Sequence, residues 1–468
     1  MVRFLCETSR RVTRKNDMTN NDFLKKILSN EGTAVFESLY GSEMAETERQ
    51  RYARLIEEMP KDTGFFGPCN DVHIFSAPGR TELGGNHTDH NRGRVLAASI
   101  QMDAVAVVAP RSDRQVFFRS AGFPDVQINL DDKDGKPDLA PKPEETGTTD
   151  SLVRGIAAEF TRQGVDVRGF SANASNTVLN GSGLSSSAAV EVLIAKIFDG
   201  LYGGDRFSAV ELAKMSQKAE NVYFGKPCGL MDQAASASGG AVAIDFADLA
   251  APLVRQITFD PLSLGFALCV VHTRGSHADL TPDYAAIPQE MQAVAGYFGK
   301  SYLREVDLSH VVSAASEIRK ATGDRALLRA IHFFNEDNRA GVMAALLEEL
   351  ASVESLAVKQ EIMGRFLDLV NESGDSSWKL LQNIYSPRDI AAQEIALALA
   401  VSNEFFHSRG LQAACRVHGG GFAGTIQAYI PVEALESYRA QMETLFGAGA
   451  LTVLRIRPVG AIEVFGGS

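Results

Sequence analysis

Residues 78–91 read Pro-Gly-Arg-Thr-Glu-Leu-Gly-Gly-Asn-His-Thr-Asp-His-Asn and follow directly on an apolar strand, Val72–Ala77. Glycines at 79, 84 and 85 mark a turn. Arginine, aspartate and two histidines crowd into that turn, and packing a strand end calls for none of them. Buried polar groups are costly unless each finds a partner.

The chain has 468 residues, more than one ordinary core holds, so two domains are expected. Its net charge of −12 speaks against nucleic acid or an anionic membrane surface as a partner. A local pocket for a small phosphate stays compatible with that charge. No apolar run reaches the roughly 18–20 residues of a membrane span. The first 17 residues hold four arginines and a lysine without the apolar stretch of a signal peptide, and Met18 is an alternative start. Five cysteines (6, 69, 228, 269, 415), odd in number and without a Cys-x-x-Cys pair, fit free thiols in a reducing cytoplasm.

Apolar spacing predicts helices over 20–60, and strands at His73–Ala77, Val95–Ala98, Ala104–Ala109 and Val116–Arg119. An exposed loop at 131–149 precedes a helix over 150–163 and a strand around Phe170–Ala174. Further helices cover 186–202 and 208–223. Beyond about 250 come a strand, Gly265–His272, and helices over 283–298, 309–321, 324–334, 338–350, 356–370 and 388–409. Strands Ala413–His418, Thr425–Ile430 and Thr452–Pro458 close the chain. The expected division is a helical extension over 1–62, an N-terminal lobe over 63–250 and a C-terminal lobe over 251–468, in the α+β class.

Two more motifs carry chemistry. Gly181-Ser182-Gly183-Leu184-Ser185-Ser186-Ser187 opens a helix. Glycines admit a phosphate close to the backbone, and a helix start offers free N–H groups and a positive dipole end. The bland alternative is a serine N-cap. It is no Walker loop, since Gly-Lys-Ser/Thr is missing. Asp232 follows Gly225, Pro227 and Gly229 in a loop beyond a helix bearing Glu220. One carboxylate there suits hydroxyl activation and the other a metal, against an ordinary aspartate cap. Cys228 has no histidine to pair with as a nucleophile. His87, Asp89 and His90 are too few to enclose a metal by themselves. Together with asparagine they offer the mixed donors and acceptors that sugar hydroxyls need.

These motifs, in this order, resemble the galactokinases of the galactose, homoserine, mevalonate and phosphomevalonate kinase superfamily. Residues 78–91 resemble the signature Pro-Gly-Arg-Val-Asn-Leu-Ile-Gly-Glu-His-Thr-Asp-Tyr-Asn. Residues 181–189 resemble the phosphate loop, 219–233 the segment ending Cys-Gly-Ile-Met-Asp-Gln, and His418–Phe422 the third motif. The resemblance implies a two-lobed small-molecule kinase fold of the galactokinase type with its active site in the cleft between lobes. It implies ATP-dependent phosphorylation of the C1 hydroxyl of galactose with Mg²⁺ as cofactor. Asp232 would be the catalytic aspartate with Arg80 beside it, and Ser187 and Glu220 would hold Mg²⁺. Asn86, His87, Asp89, Gly229 and Tyr284 would contact the sugar, and the backbone at 181–187 the phosphates. The implied partners are the sugar and ATP, with no obligate protein partner.

Several positions depart from the family. Asn86 replaces a glutamate that accepts from the sugar's C6 hydroxyl, Glu82 an asparagine and His90 a tyrosine. Galacturonate kinases of plants also carry histidine at the position of His90. A galacturonate or other modified-galactose kinase is thus one alternative, and a non-catalytic sugar sensor on the same fold another. If galactose is the substrate, Asn86 is expected to bond its C6 hydroxyl, and Asn86→Glu to be tolerated.

Overall fold

Two long strands, β1 (His73–Gly84) and β2 (Arg94–Pro110), organise the chain and pair antiparallel. The computed structural model describes residues 20–61, 63–67, 72–179, 181–275 and 280–465. The expectations for the first 17 residues, Met18, Cys6, Pro68 and Cys69 fall outside the described residues.

Side chains alternate across a strand with period two. Phe75, Ala77, Ala106 and Val108 accordingly face the main core, while Ile74, Val105 and Val107 face the other way. That second face is covered by the helices Asn20–Leu28, Asn30–Tyr40 and Ser42–Glu58, through Phe36, Tyr52 and Ile56. The extension read at 1–62 thus packs, from residue 20 onward, on the sheet itself.

The turn expected after Ala77 does not occur there. β1 runs through Pro78-Gly79-Arg80 and takes up the irregularity in register shifts between Pro78 and Arg80 and between Glu82 and Gly84. Such bulges tolerate the missing proline N–H and re-aim side chains. Gly79 is required there, because a Cβ would sit 2.8 Å from the Leu184 carbonyl oxygen. Likewise, the strands read at 95–98 and 104–109 are one. The polar break between them holds Asp103, which accepts from Tyr40 Oη at 2.6 Å and Arg457 Nη1 at 2.9 Å and also pairs with Arg51. A buried carboxylate with that many donors interrupts no strand.

Further strands are β3 (Gln115–Ser120), β4 (Val126–Asn129), β5 (Phe170–Asn176), β6 (Ala241–Asp245) and β7 (Leu253–Ile257). With β12 (Ile462–Glu463) they build one sheet in the order β12-β1-β2-β5-β3-β4, with β6 branching off β2 and β7 pairing β6. A second sheet, β11-β8-β10-β9, is made of β8 (Phe266–His272), β9 (Ala414–His418), β10 (Thr425–Pro431) and β11 (Leu451–Leu454). β7 lies beyond residue 250 and β12 near the end of the chain, yet both belong to the first sheet.

The helices read at 324–334 and 338–350 form a single helix, Asp324–Ser352. Its polar middle makes no break, because Glu336 and Asp337 are buried there and bonded to backbone at the end of β1 and the start of β2: Gly85 N–H donates to Glu336 at 3.0 Å and Arg94 N–H to Asp337 at 2.7 Å. This anchors the long helix against the end of β1, within the polar signature.

Candidate active site

Asp232 stands in the first turn of helix Met231–Ser238 and not in a loop, a position where the helix dipole favours a carboxylate. Its Oδ1 accepts from Arg80 Nε at 2.8 Å and Nη2 at 2.7 Å, and its Oδ2 accepts from the Ser185 hydroxyl. The Arg80 side chain is 7% exposed and Asp232's is 34% exposed, so the arginine is walled in and the carboxylate looks into open space. Three segments distant in sequence therefore meet at one carboxylate.

The serine loop is not an ordinary cap. Helix Ser186–Phe198 starts after Ser185, which has φ 60° and caps nothing with its side chain. Gly181 and Gly183 share that left-handed backbone at φ 70° each. Arg80 N–H holds the Leu184 carbonyl at 3.0 Å, and its guanidinium holds that of Gly183. The first-turn amides of the helix are then available to an anion. Ser182 donates to the Leu179 carbonyl and Ser186 accepts from Asn176.

Ser187 Oγ donates to Glu191 at 2.7 Å. Gln233 Nε2 bridges the other Glu191 oxygen and a Glu220 oxygen, 2.9 Å from each. Lys226 Nζ lies 3.2 Å from the second Glu220 oxygen. Two buried carboxylates sharing one amide are short of positive charge, and burial with Glu220 alongside pushes Glu191 up to about 8. Hard oxygen donors in that state fit a divalent cation such as Mg²⁺. Sequence reasoning missed Glu191; its place four residues after Ser187 on a helix start was the available signal. Among the described residues no three His, Cys, Asp or Glu side chains are grouped to hold a metal by themselves. The Cys228 thiol is pushed up by burial and by Glu220, consistent with its being no nucleophile.

Beside Ser186 and Ser187 opens a cavity of about 400 Å³ whose walls include Phe118, Phe123, Val126 and Phe224. Its size and apolar lining suit a flat heterocycle. These residues come from four segments, and none was named from sequence. Phe123, 48% exposed, in a Gly-Phe-Pro turn was the visible hint.

A second space, of about 280 Å³, is lined by Asp232. Arg80, Asn86, His87, Asp89, Gly229 and Asp232 all line it, together with Glu82 and Lys226. A Cβ at Gly229 would come 2.1 Å from Asp89 Oδ2, so a larger residue there would have to displace that carboxylate. Tyr284 does not line this space: its hydroxyl donates to the Gly421 carbonyl at 3.0 Å and its ring abuts Phe422, so it supports the glycine turn from behind. Asn86 lines the space but its amide is fully engaged by protein groups. Nδ2 donates to Glu82 at 3.1 Å and to the Gly419 carbonyl at 2.8 Å, and Oδ1 accepts from Asn383 at 3.0 Å. The free hydrogen bond to a sugar hydroxyl expected of Asn86 is thus already taken.

His87 has φ 60°, a strained backbone for a non-glycine residue, and its Nε2 lies 3.0 Å from the Gly420 carbonyl, so Nε2 carries the proton. Burial and the neighbouring His90 lower its pKa to about 4. A group lowered in this way stays neutral above that value, which leaves Nδ1 an acceptor. The KM for sugar is therefore expected to stay flat from about pH 5.5 to 8, since His87 does not titrate near its ordinary 6.5. A step in KM centred near pH 6.5 that vanishes in His87→Gln contradicts the neutral assignment.

Residues 64–110 match the family model "Galactokinase galactose-binding signature" and residues 151–240 match "GHMP kinases N terminal domain". A galactokinase of Streptomyces coelicolor is 31% identical over 387 residues, which cover 82% of this chain and 91% of that protein. Among solved structures, Lactococcus lactis galactokinase complexed with galactose superposes with a TM-score of 0.69 at 22% identity, over 88% of this chain and all of that one. Methanococcus jannaschii mevalonate kinase does so with a TM-score of 0.54 at 14% identity, over 83% and 99%. The two structures carry the mixed helix-and-sheet fold, while the curated relative and the matched signature carry the assignment: this chain belongs to the galactokinase family, the sugar kinases that transfer a phosphoryl group to an alcohol.

Proposed function

We propose that the protein transfers the γ-phosphoryl group of ATP to the anomeric C1 hydroxyl of galactose, with Mg²⁺ as cofactor. The observation that carries this reading is the position of Asp232, held by Arg80 and Ser185 between the polar space and the serine-loop helix start. In this reading the sugar occupies the polar space, against His87, Asp89 and the backbone at Gly229. The nucleotide's base enters the apolar cavity, and its phosphates lie over residues 181–187. Ser187 and Glu220 would hold the metal, with Glu191 behind them, and the metal supplies charge neutralisation for the phosphates. Phosphoryl transfer passes through a loose transition state, so positioning and charge stabilisation do most of the work. Asp232 accepts the hydroxyl hydrogen and aims the oxygen, and Arg80 fixes the carboxylate's orientation. Among the described residues no helix is long and apolar enough to cross a membrane. Cys228, Cys269 and Cys415 are free thiols, and we place the reaction in the cytoplasm.

The test is a sugar panel with ATP, scored for ADP release and for the position of the new phosphate. Galactose is expected to lead, with phosphate on C1. A panel led by galacturonate would move the substrate assignment, and a panel without turnover would leave a sugar sensor. With EDTA, galactose turnover is expected to vanish and to return with Mg²⁺ or Mn²⁺. Full turnover in metal-free buffer would remove the metal from the reading.

A further inference from the structure

Lys226 has no role in the reading above, yet it stands where the two halves of the site meet. It lines the polar space with Arg80 and Asp232, its Nζ is 3.2 Å from Glu220 Oε1, and its side chain is 63% exposed. Its main chain is fixed, since its N–H donates to the Glu220 carbonyl at 3.2 Å after the left-handed Gly225. The ammonium is therefore a movable charge on an anchored stem. It holds the one Glu220 oxygen that Gln233 does not.

We propose that Lys226 is an exchangeable counter-ion: it neutralises Glu220 until the metal–nucleotide arrives, and it then faces the transferring phosphoryl group as a catalytic cation. The proposal rests on the assignment of Glu220 to the metal. A divalent cation on Glu220 repels an ammonium 3–4 Å away, and the lysine's flexible, exposed stem lets it leave. Of the carboxylates that line the same space, Glu82 is paired with Arg416, Asp232 is bonded to Arg80 and Ser185, and Asp89 accepts from the His90 N–H; the phosphoryl group brings a further anion there. In the transfer, the bond from phosphorus to the diphosphate oxygen breaks as the bond to the sugar oxygen forms. Lys226 stays protonated and gives or takes no proton. It offsets charge on the equatorial oxygens, as arginine fingers do in other phosphotransferases.

Lys226→Met keeps the stem and removes the charge. Two readouts should move in opposite directions. Mn²⁺ binding to the nucleotide-free protein, followed by electron paramagnetic resonance, should tighten by about 5- to 10-fold, because a competitor for Glu220 is gone. The kcat should fall by about 10- to 100-fold, somewhat less than for loss of a full oxyanion donor, with sugar KM within about threefold of the parent. Lys226→Arg should recover most of kcat. Unchanged Mn²⁺ affinity together with unchanged kcat overturns the proposal. So does a loss confined to sugar KM, which would make Lys226 a sugar contact only. Glu220→Gln separates the two readings: if it leaves Mn²⁺ binding intact, the metal assignment fails and the proposal with it. If it abolishes Mn²⁺ binding while Lys226→Met changes nothing, only the proposal fails.

Discussion

Asp232→Asn is expected to lower kcat by at least about 10²-fold with sugar KM nearly unchanged, the lower range for a positioned proton acceptor. The substitution preserves shape. The asparagine oxygen can still accept from Arg80, whose Nε and Nη2 lie 2.8 and 2.7 Å from Oδ1. Its amide can turn Ser185 from donor into acceptor. The negative charge and the free lone pairs toward the polar space are lost, and so is the hydrogen bond that aims the hydroxyl oxygen. Asp232→Ala should cost at least as much in rate and also some stability, because it leaves a guanidinium only 7% exposed with the Gly183 carbonyl as its main acceptor. The measurement is kcat and KM for galactose alongside thermal unfolding. A well-folded Asp232→Asn protein turning over near the parent rate would move the chemistry away from this carboxylate.

How much of this was visible beforehand depended on whether a signal was local. The serine loop, the Arg80 signature and the Asp232 segment each carry their chemistry within about ten residues, and their glycines announce special backbone. They were legible, and the structure brings Arg80, Ser185 and Asp232 together. The helices over 20–58 were legible too, since Phe23, Ile27, Tyr52, Leu55 and Ile56 repeat with helical spacing. The exposed loop read at 131–149 is there, but the breaks read at three other polar or proline-bearing places are not. Asp103, Glu336 and Pro78 all lie inside long elements: Arg457 reaches Asp103, Ser373 donates to Glu336 at 2.6 Å, and a register shift next to Pro78 takes up its irregularity. A local reading prices such residues as unpaired, whereas tertiary partners remove that cost. The cavity beside Ser187 was hidden for the same reason, as strands, a turn and a helix each give it one wall.

Asn86→Glu, which restores the family's residue, is expected to be damaging, contrary to what the motif alone implied. The family pattern has asparagine at 82 and glutamate at 86; this chain has them exchanged, and here the two side chains bond one another at 3.1 Å. Both are buried, and Glu82 also pairs with a fully buried Arg416. One carboxylate thus serves both partners. A second at position 86 would lose the donations to Glu82 and to the Gly419 carbonyl and set two anions about 4 Å apart. At an effective dielectric near 20 that costs roughly 4 kcal/mol, which is about a thousandfold in an equilibrium. Burial already raises the pKa of Glu82, and a like charge beside it raises it further, so the variant would take up a proton as pH falls. Its defect should accordingly be worst at pH 8 and ease toward pH 5. Glu82→Asn alone leaves Arg416 without its carboxylate, a change worth about 3–5 kcal/mol for a buried pair. The double exchange, Glu82→Asn with Asn86→Glu, returns one carboxylate and one amide to the same place. Stability and kcat/KM for galactose should then come back to within about tenfold of the parent, a coupling of at least about 2 kcal/mol between neighbours. Urea midpoints and kinetics for the four proteins decide it. An Asn86→Glu protein as stable and active as the parent, or a double variant no better than the worse single, would show that the pair is not a unit.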